Sequence, residues 1–399
     1  MTGSAIVAYI RARSGAILTW AIVAATFLIT YVTFIRWYRF FFPDSRYYLA
    51  MAYLFGGADP ETARDLTVDF ADPRGIPVPP VDDLFGWGLV QPRVVYPVLS
   101  VPFVKLFGAY GLAVVPLLAA VALTILLTLI LMRRYGNVVA VATMLLVNGS
   151  LFLMSFHTGM LTESLSGLFA VLALLAAWRW LERPSPWLLV AMGAATAASA
   201  FTRQATLIMA GAFVMAWLLG SLVGRRNSPW MWPAIVVGGT AVGCQVLQSL
   251  VFPSFSQLDQ FLKQAGAETL GEAILRVPAM LLHILASDAA AMMRADRTLL
   301  FLIGLAVASM ILFWRRTESH LLLGAILGIA LYNVTNGTPT QFRYATPGLV
   351  FYVLAAAVII AHTADRVTKA IADRRNRSMA EGTTDPAAPS AASAAEPAG

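Results

Sequence analysis

Cysteine is almost absent from this chain, and charged residues are scarce. Cys244 is its single thiol, which excludes an intramolecular disulfide and any metal cluster held by several thiolates. Charged residues make up 12% of the 399 positions, about half the share in a soluble domain, whereas 59% are hydrophobic. The long apolar runs contain few charges, so we predict a helical protein that crosses a membrane several times rather than a soluble enzyme or a barrel.

The motifs of common soluble enzymes are also missing. No P-loop, dinucleotide-binding fingerprint or nucleophile elbow is present, and the four histidines divide equally between the two predicted sides of the membrane. The adjacent acids Asp82 and Asp83 are not spaced to chelate one ion, so a divalent metal is conceivable but unsupported, and no cofactor is predicted. Basic residues mark the cytoplasmic side of membrane proteins, so the net charge of +7 does not indicate a nucleic-acid partner.

Ten apolar segments predict the spans of an all-α polytopic membrane protein whose membrane domain covers residues 1–364. They lie near 16–35, 111–132, 138–156, 163–181, 187–202, 205–222, 230–251, 298–314, 320–336 and 344–364. The first follows Arg11 and Arg13 and is too long for a signal-peptide core, so we interpret it as an uncleaved anchor. Gly239 and Gly243, four residues apart, predict a face for helix packing.

Basic residues predict the orientation of these spans. Pairs of them share the expected inner connections: Arg133 with Arg134, Arg179 with Arg183, Arg225 with Arg226, and Arg315 with Arg316. The short outer connections hold only Arg203 and Arg343, and residues 365–399 form a cytoplasmic tail, basic and then disordered from about residue 378. This alternation predicts that both termini lie in the cytoplasm. The chain has 25 arginines but three lysines, a bias typical of a GC-rich genome, so we expect a bacterial plasma-membrane protein.

Two long segments are expected on the outer side, at about 36–110 and 252–297. Within the first, residues 45–55 predict a short helix at the membrane interface, and residues 56–93, rich in Gly, Pro and Asp, predict a loop. Residues 94–107 are apolar but carry two prolines and a lysine, which favours a second interfacial or re-entrant helix. Residues 270–286 predict an amphipathic helix on the surface.

An acid follows the first span directly, in the stretch FFPDSRYYLAMA. Asp44 precedes a predicted helix, so its carboxylate could cap the backbone N–H groups there. It could equally be a general base held at the membrane surface. Arg46, Tyr47 and Tyr48 follow it, and Arg93 and Tyr96 close the same loop as interfacial anchors or as substrate ligands.

Three further polar positions lie at the outer ends of apolar runs. Glu163 begins the fourth span. It is either an acid that the positive end of the helix dipole stabilises or a residue that orients a substrate. Arg203, followed by Gln204, sits between two runs with almost no loop, where it either snorkels or meets an anion. Arg343 stands between Gln341 and Tyr344 and could bind a phosphate through two hydrogen bonds or pair with an acid of the first loop.

In their order and shared outer placement, these stretches resemble the GT-C-fold glycosyltransferases, which take a sugar from a polyprenyl-phosphate carrier. The stretches are PDSRYYLAMA, QPRVVYP, MLTESL, FTRQA and QFRYATPGLVF, and they cover residues 44 to about 351. The chain has no clear acid-x-acid metal motif in its first loop. The resemblance implies about ten transmembrane helices with interfacial helices in the long first loop.

The resemblance also implies a function. A sugar would pass, with inversion, from the polyprenyl-phosphate donor to an envelope glycan or lipid acceptor on the outer face, beside membrane lipids. Asp44 would be the general base, and Arg203 and Arg343 would hold the donor phosphate. The implied substrate-binding residues are Arg46, Tyr47, Tyr48, Arg93, Tyr96, Glu163, Gln204, Gln341 and Tyr344, with no metal ligand among them.

Two other classes of protein compete with this interpretation. A non-catalytic subunit of an envelope-polymer assembly machine would tolerate the replacement of Asp44 by Asn, whereas an enzyme would not. A lipid or solute transporter would carry paired acids or broken helices near mid-membrane. The predicted spans hold almost no ionisable residue at their centres, which disfavours the transporter.

Overall fold

The computed structural model describes residues 3–223, 228–252 and 256–382, and throughout these ranges the chain forms helices and no strand. The predicted all-α class is therefore confirmed. The α-helices, in chain order, are α1 Gly3–Trp37, α2 Ser45–Phe55, α3 Pro60–Ala71, α4 Val81–Gly86, α5 Val95–Phe107, α6 Val114–Tyr135, α7 Asn137–Asn148, α8 Leu151–Thr158, α9 Glu163–Glu182, α10 Pro186–Ala200, α11 Thr206–Leu222, α12 Met231–Val251, α13 Gln257–Ala265, α14 Leu270–Ala295, α15 Arg297–Leu312, α16 Thr317–Asn336 and α17 Leu349–Gly382. Three short 3-10 helices cover Asp72–Arg74, Gly108–Ala113 and Arg343–Gly348.

Seven stretches of the described chain are long and apolar enough to cross a membrane, and the pair α7 and α8 makes an eighth if it forms one bent span. The seven are Ser14–Trp37, Val95–Tyr135, Glu163–Glu182, Met231–Val251, Leu270–Ala295, Thr317–Asn336 and Arg343–Arg374. This set indicates a multi-pass membrane protein. The predicted count of ten is not confirmed, because α10, α11 and α15 are apolar but only 15, 17 and 16 residues long.

The first long loop is more regular than its composition indicates. The helix expected at 45–55 is present as α2, and the one expected at 94–107 is present as α5, which leads through a 3-10 turn into α6. The prediction of a loop over 56–93 was wrong in part, because α3 and α4 form there. Asp59 explains α3, since its carboxylate accepts the Thr62 N–H at 3.0 Å and proline occupies the first turn.

Two predictions in the second half of the chain also change. The expected surface helix at 270–286 is longer, and α14 meets the length and composition of a membrane span. The last helix, α17, continues to Gly382, so the tail is helical beyond the expected start of disorder. Residues 383–399, and the arginine pair at 225–226, lie outside the described residues.

Two buried clusters of side chains form the core. The larger surrounds the first turns of α17, where every residue from 349 to 358 is at most 6% exposed, so this part of the helix is buried on all sides. The smaller lies beneath the first loop and includes Tyr48 and Tyr96 of α2 and α5. The two clusters meet at the start of α9, because Leu161 belongs to the larger and Leu165 to the smaller.

Helices α11 and α16 pack closely through glycines. A Cβ atom at Gly324 would lie 2.0 Å from the Gly211 carbonyl oxygen, a distance at which the two backbones must separate. The expected packing pair on α12 is wrong by contrast, since a Cβ at Gly239 or at Gly243 would meet nothing within 4 Å. The close approach of α11 and α16 therefore requires glycine at position 324.

We expect Gly324→Ala to destabilise the fold, because the added methyl group overpacks two helix backbones at a cost of about 1 to 3 kcal/mol. Thermal unfolding of the purified full chain in detergent measures this. Gly239→Ala is the matched control, and it should unfold at or slightly above the wild-type temperature because alanine favours helix. Equal unfolding temperatures for the two variants would contradict the assignment of the packing face.

Candidate functional site

Four charged side chains from distant parts of the sequence meet where the two core clusters join. Asp44 immediately precedes α2, Glu163 begins α9, Arg203 follows α10, and Arg343 begins the 3-10 helix that leads into α17. Ion pairs connect all four, and we call them the ionic cluster. Each of these four residues is a separate prediction from the sequence, and the structure brings them together.

Glu163 lies between the two arginines of the ionic cluster. Its Oε1 accepts hydrogen bonds from Arg203 Nη1 at 3.0 Å and from Arg343 Nε. Arg343 Nη2 also donates to Asp44 Oδ2 at 2.7 Å, so one guanidinium group bridges two carboxylates. Thr162 Oγ1, next to Glu163 in the chain, accepts a second bond from the same Arg203 Nη1 at 3.2 Å.

The ionic cluster has a buried half and an accessible half. The side chains of Glu163 and Arg203 are 0% and 1% exposed, whereas those of Asp44 and Arg343 are 23% and 17% exposed. A buried charge is costly unless it is paired, so the inner pair is constrained to keep its geometry. A ligand that enters the site can reach Asp44 and Arg343 without opening the inner pair.

The capping role considered for Asp44 is not observed. The residue occupies the position before α2, but its side chain makes no capping hydrogen bond. Ser45 instead organises this turn, because its Oγ accepts the Phe42 N–H at 2.9 Å and donates to the Met160 carbonyl at 2.7 Å. The Asp44 carboxylate therefore accepts no capping bond from the backbone and forms an ion pair with Arg343. This pair was one of the two alternatives predicted for Arg343, an ion pair with an acid of the first loop.

The charge state of Asp44 follows from its neighbours. Burial acts to raise the pKa of its carboxyl group, but the positive charges of Arg343, Arg93 and Arg203 together outweigh burial. The pKa of Asp44 therefore lies below its ordinary value, and the group is ionised at neutral pH. An ionised carboxylate is the state that a general base requires.

Aromatic residues and a third arginine surround the cluster. Arg93 is 6% exposed and donates from Nη1 to the Tyr48 hydroxyl at 2.8 Å, and the Tyr48 ring packs edge-on against Tyr96 at 5.2 Å. The Tyr96 hydroxyl donates to the Leu112 carbonyl at 2.9 Å. Both tyrosines are fully buried, so they do not line an open pocket. Tyr48 instead fixes Arg93 through the hydrogen bond, and Tyr96 packs against Tyr48.

Arg203 packs against two tyrosine rings. Its Cζ lies 5.2 Å from the ring centre of Tyr344 and 5.9 Å from that of Tyr332. Sequence reasoning selected Tyr344 but missed Tyr332, which lies four residues before the end of a predicted span and gave no polar signal there. Several buried polar atoms around the cluster have no hydrogen-bond partner among the described residues: Arg203 Nε, Arg93 Nε, Gln204 Nε2, His157 Nε2 and the Tyr332 hydroxyl. Such unpaired donors are uncommon and fit a site for a polar ligand.

Two predicted site residues belong to the first loop instead of the cluster. Arg46 donates to the Pro77 carbonyl and, at 3.1 Å, to the Tyr47 hydroxyl. Tyr47 packs on Trp87 with ring centres 4.4 Å apart, and Trp87 is partly exposed. These contacts hold α2 against the segment that contains α4, one turn away from Asp44.

Asp288 on α14 fixes the loop that precedes Arg343, and sequence reasoning did not select it. Its carboxylate accepts the backbone N–H groups of Thr340 at 2.9 Å, Gln341 at 2.7 Å and Phe342 at 3.3 Å. Gln341 and Phe342 have φ angles of 57° and 72°, a region that non-glycine residues rarely occupy. Gln341 therefore contributes through its backbone, and Asp288 stabilises the conformation that presents Arg343.

Among the described residues, no group of three or more His, Cys, Asp or Glu side chains is arranged to hold a metal ion. Comparisons of the chain with protein-family models, with curated proteins and with solved structures find no match.

We expect Glu163→Gln to destabilise the folded protein by about 3 to 5 kcal/mol, because it leaves Arg203 buried without a counter-charge. Asp44→Asn, in the accessible half of the cluster, should cost far less, since water can solvate Arg343. Chemical or thermal unfolding of both variants in detergent measures the difference. Similar losses of stability in the two variants would contradict the division into buried and accessible halves.

Proposed function

We propose that this protein is an inverting membrane glycosyltransferase of the GT-C kind, which moves a sugar from a polyprenyl-phosphate carrier to an envelope glycan or lipid acceptor. The observation that carries the proposal is an ionised, partly exposed carboxylate, Asp44, held against Arg343 at the edge of a buried ionic cluster. The cluster lies at helix ends and not in the middle of the apolar stretches, as a reaction on a lipid headgroup requires.

The proposed reaction is a single displacement at the anomeric carbon of the donor sugar. The acceptor hydroxyl oxygen forms a bond to the anomeric carbon while its proton passes to the Asp44 carboxylate. The bond from that carbon to the phosphate oxygen breaks, and its electron pair leaves with the phosphate. Attack from the face opposite the phosphate inverts the anomeric centre, as in glycosidases where a carboxylate activates the nucleophile. Phosphate is a good leaving group, so a second carboxylic acid is not required.

The charges of the site suit a monophosphate-linked donor. The two carboxylates of the ionic cluster act together with three guanidinium groups, those of Arg93, Arg203 and Arg343, which leaves one net positive charge. A sugar phosphodiester carries one negative charge. When Asp44 takes the proton, the site gains one positive charge just as the departing phosphate gains one negative charge, so attraction strengthens along the reaction.

The two arginines assigned to the donor phosphate receive different roles. Arg343 is the arginine that meets the phosphate, because it is accessible and only one of its terminal nitrogens is engaged by Asp44. Arg203 is a positioning residue, since it is buried and acts through Glu163. We further propose that the protein lies in a bacterial plasma membrane with both termini in the cytoplasm and the cluster facing outward, which the alternation of arginines along the sequence favours.

One observation supports a second candidate. Every carboxylate of the ionic cluster already has a partner, as expected of a purely structural ion network. The chain would then be a non-catalytic membrane subunit of an envelope-polymer assembly machine. Lipid or solute transport has less support, because the cluster lies at helix ends and transport sites lie near the bilayer midplane.

The purified full chain should transfer sugar from at least one member of a panel of polyprenyl-phosphate sugars. Asp44→Asn should lower that turnover by about 100- to 10,000-fold, the usual contribution of a general base. The stability and donor affinity of the variant should remain near the wild-type values. Asp65→Asn, an exposed acid of the same loop, is the control and should be fully active. Normal turnover by Asp44→Asn would exclude Asp44 as the general base, and no turnover by the wild type with any donor of the panel would favour the structural subunit.

The pH dependence of the transfer gives a second test. Asp44 has a lowered pKa, so its ion pair contributes stability, and its base form is available, until the pH falls through that lowered value. The acid limb of kcat/KM should therefore lie below the ordinary pKa of an aspartate. Arg343→Gln should move the limb to higher pH, and Arg64→Gln, outside the cluster, should not move it. An acid limb that ignores Arg343 would contradict the assignment of Asp44.

A further inference from the structure

A second polar site lies at the opposite end of α9 from the ionic cluster. The helix has 20 residues, so about 30 Å separates Glu163 at its start from Glu182 at its end. Near that far end, α9 and α6 border a groove of about 430 Å³. The proposed glycosyl transfer uses none of these residues.

The two walls of the groove repeat one pattern. Helix α6 contributes Leu126, Leu129, Ile130 and Arg133, and α9 contributes Leu175, Trp178, Arg179 and Glu182. Both sets follow the spacing i, i+3, i+4, i+7, which places each on one helix face. Both helices reach the groove with their C-terminal halves, so the leucines of each helix lie deeper along the span and the arginines lie at its mouth. The groove is thus apolar inside and basic at its rim.

The arginines at the rim of the groove are not fully neutralised by neighbouring acids. Among the described residues, Arg133 has no ion-pair or hydrogen-bond partner. Arg179 pairs with Glu182 at 3.5 Å, but both side chains are about two-thirds exposed, where such a pair is weak. Arg134 shares Glu318 with the Tyr135 hydroxyl and lies 3.9 Å from the ring centre of Trp178. Three arginines against one lining acid leave this rim positive.

We infer that this groove binds an anionic phospholipid, with the phosphate at the arginines and an acyl chain along the leucines. Basic pockets between membrane helices bind anionic lipid headgroups in this manner. The apolar wall, continuous with the rim along both helices, favours a lipid over a soluble phosphate. The inference does not depend on the proposed function, because the groove and the ionic cluster share no residue.

Native mass spectrometry of the purified full chain tests the inference. The protein is titrated with phosphatidylglycerol, with phosphatidylcholine of the same acyl chains, and with glycerophosphoglycerol, the same headgroup without chains. Phosphatidylglycerol should bind at least about 10-fold more tightly than phosphatidylcholine, because each arginine near an anionic headgroup raises the affinity about fivefold. It should also bind at least about 10-fold more tightly than the chain-free headgroup, because each buried CH2 group adds about 0.8 kcal/mol. Equal affinity for the two lipids, or for the chain-free headgroup, would overturn the assignment.

Variants separate the two parts of the groove. The double variant Arg133→Gln and Arg179→Gln should bind phosphatidylglycerol about 30-fold more weakly. Arg315→Gln with Arg366→Gln removes the same charge outside the groove and should bind normally. Leu129→Trp keeps every charge but fills the apolar part of the groove, so it should also weaken binding of phosphatidylglycerol. If the double variant fails to fold, this variant still tests the inference. Retained affinity in Leu129→Trp or in a folded double variant would contradict the inference.

Discussion

The rest of the site depends on the buried ion pairs that the Glu163 carboxylate forms with Arg203 and Arg343. One oxygen accepts hydrogen bonds from Arg203 and Arg343, and so it joins the start of α9 to the end of α10 and to the start of the last helix. A fully buried carboxylate is tolerated only with such partners, and the arginines need it equally. The ion pairs thus fix where three segments meet, beside the buried first turns of α17.

This buried pair allows the outer half of the cluster to be reactive. Arg343 is held by Glu163 on one side and by its loop on the other, where Asp288 accepts three backbone N–H groups. Asp44 then meets an arginine whose position is already determined. A base and a phosphate ligand on a preorganised support are what transfer of a sugar requires, because little reorganisation remains for the transition state.

Much of this arrangement could be predicted from the sequence, and there are physical reasons why the remaining contacts could not be. Polar residues at the ends of apolar runs pointed to the cluster, and α2 and α5 were expected where they occur. The partners within the cluster could not be predicted, because Asp44 and Arg343 are 299 positions apart. Asp288 looked like any acid of a surface segment. Helices α10, α11 and α15 are apolar but shorter than a usual span, and hydropathy alone does not predict where a helix ends.

The most direct test of the account is the affinity of the purified full chain for a polyprenyl monophosphate. We predict that the wild type binds it, that Arg343→Gln loses most of that binding, and that Arg64→Gln, an arginine outside both the ionic cluster and the groove, retains it. Such a result would locate the phosphate at the accessible half of the ionic cluster. Equal affinity in the wild type and Arg343→Gln would contradict the donor site, and the cluster would then be a structural ion network.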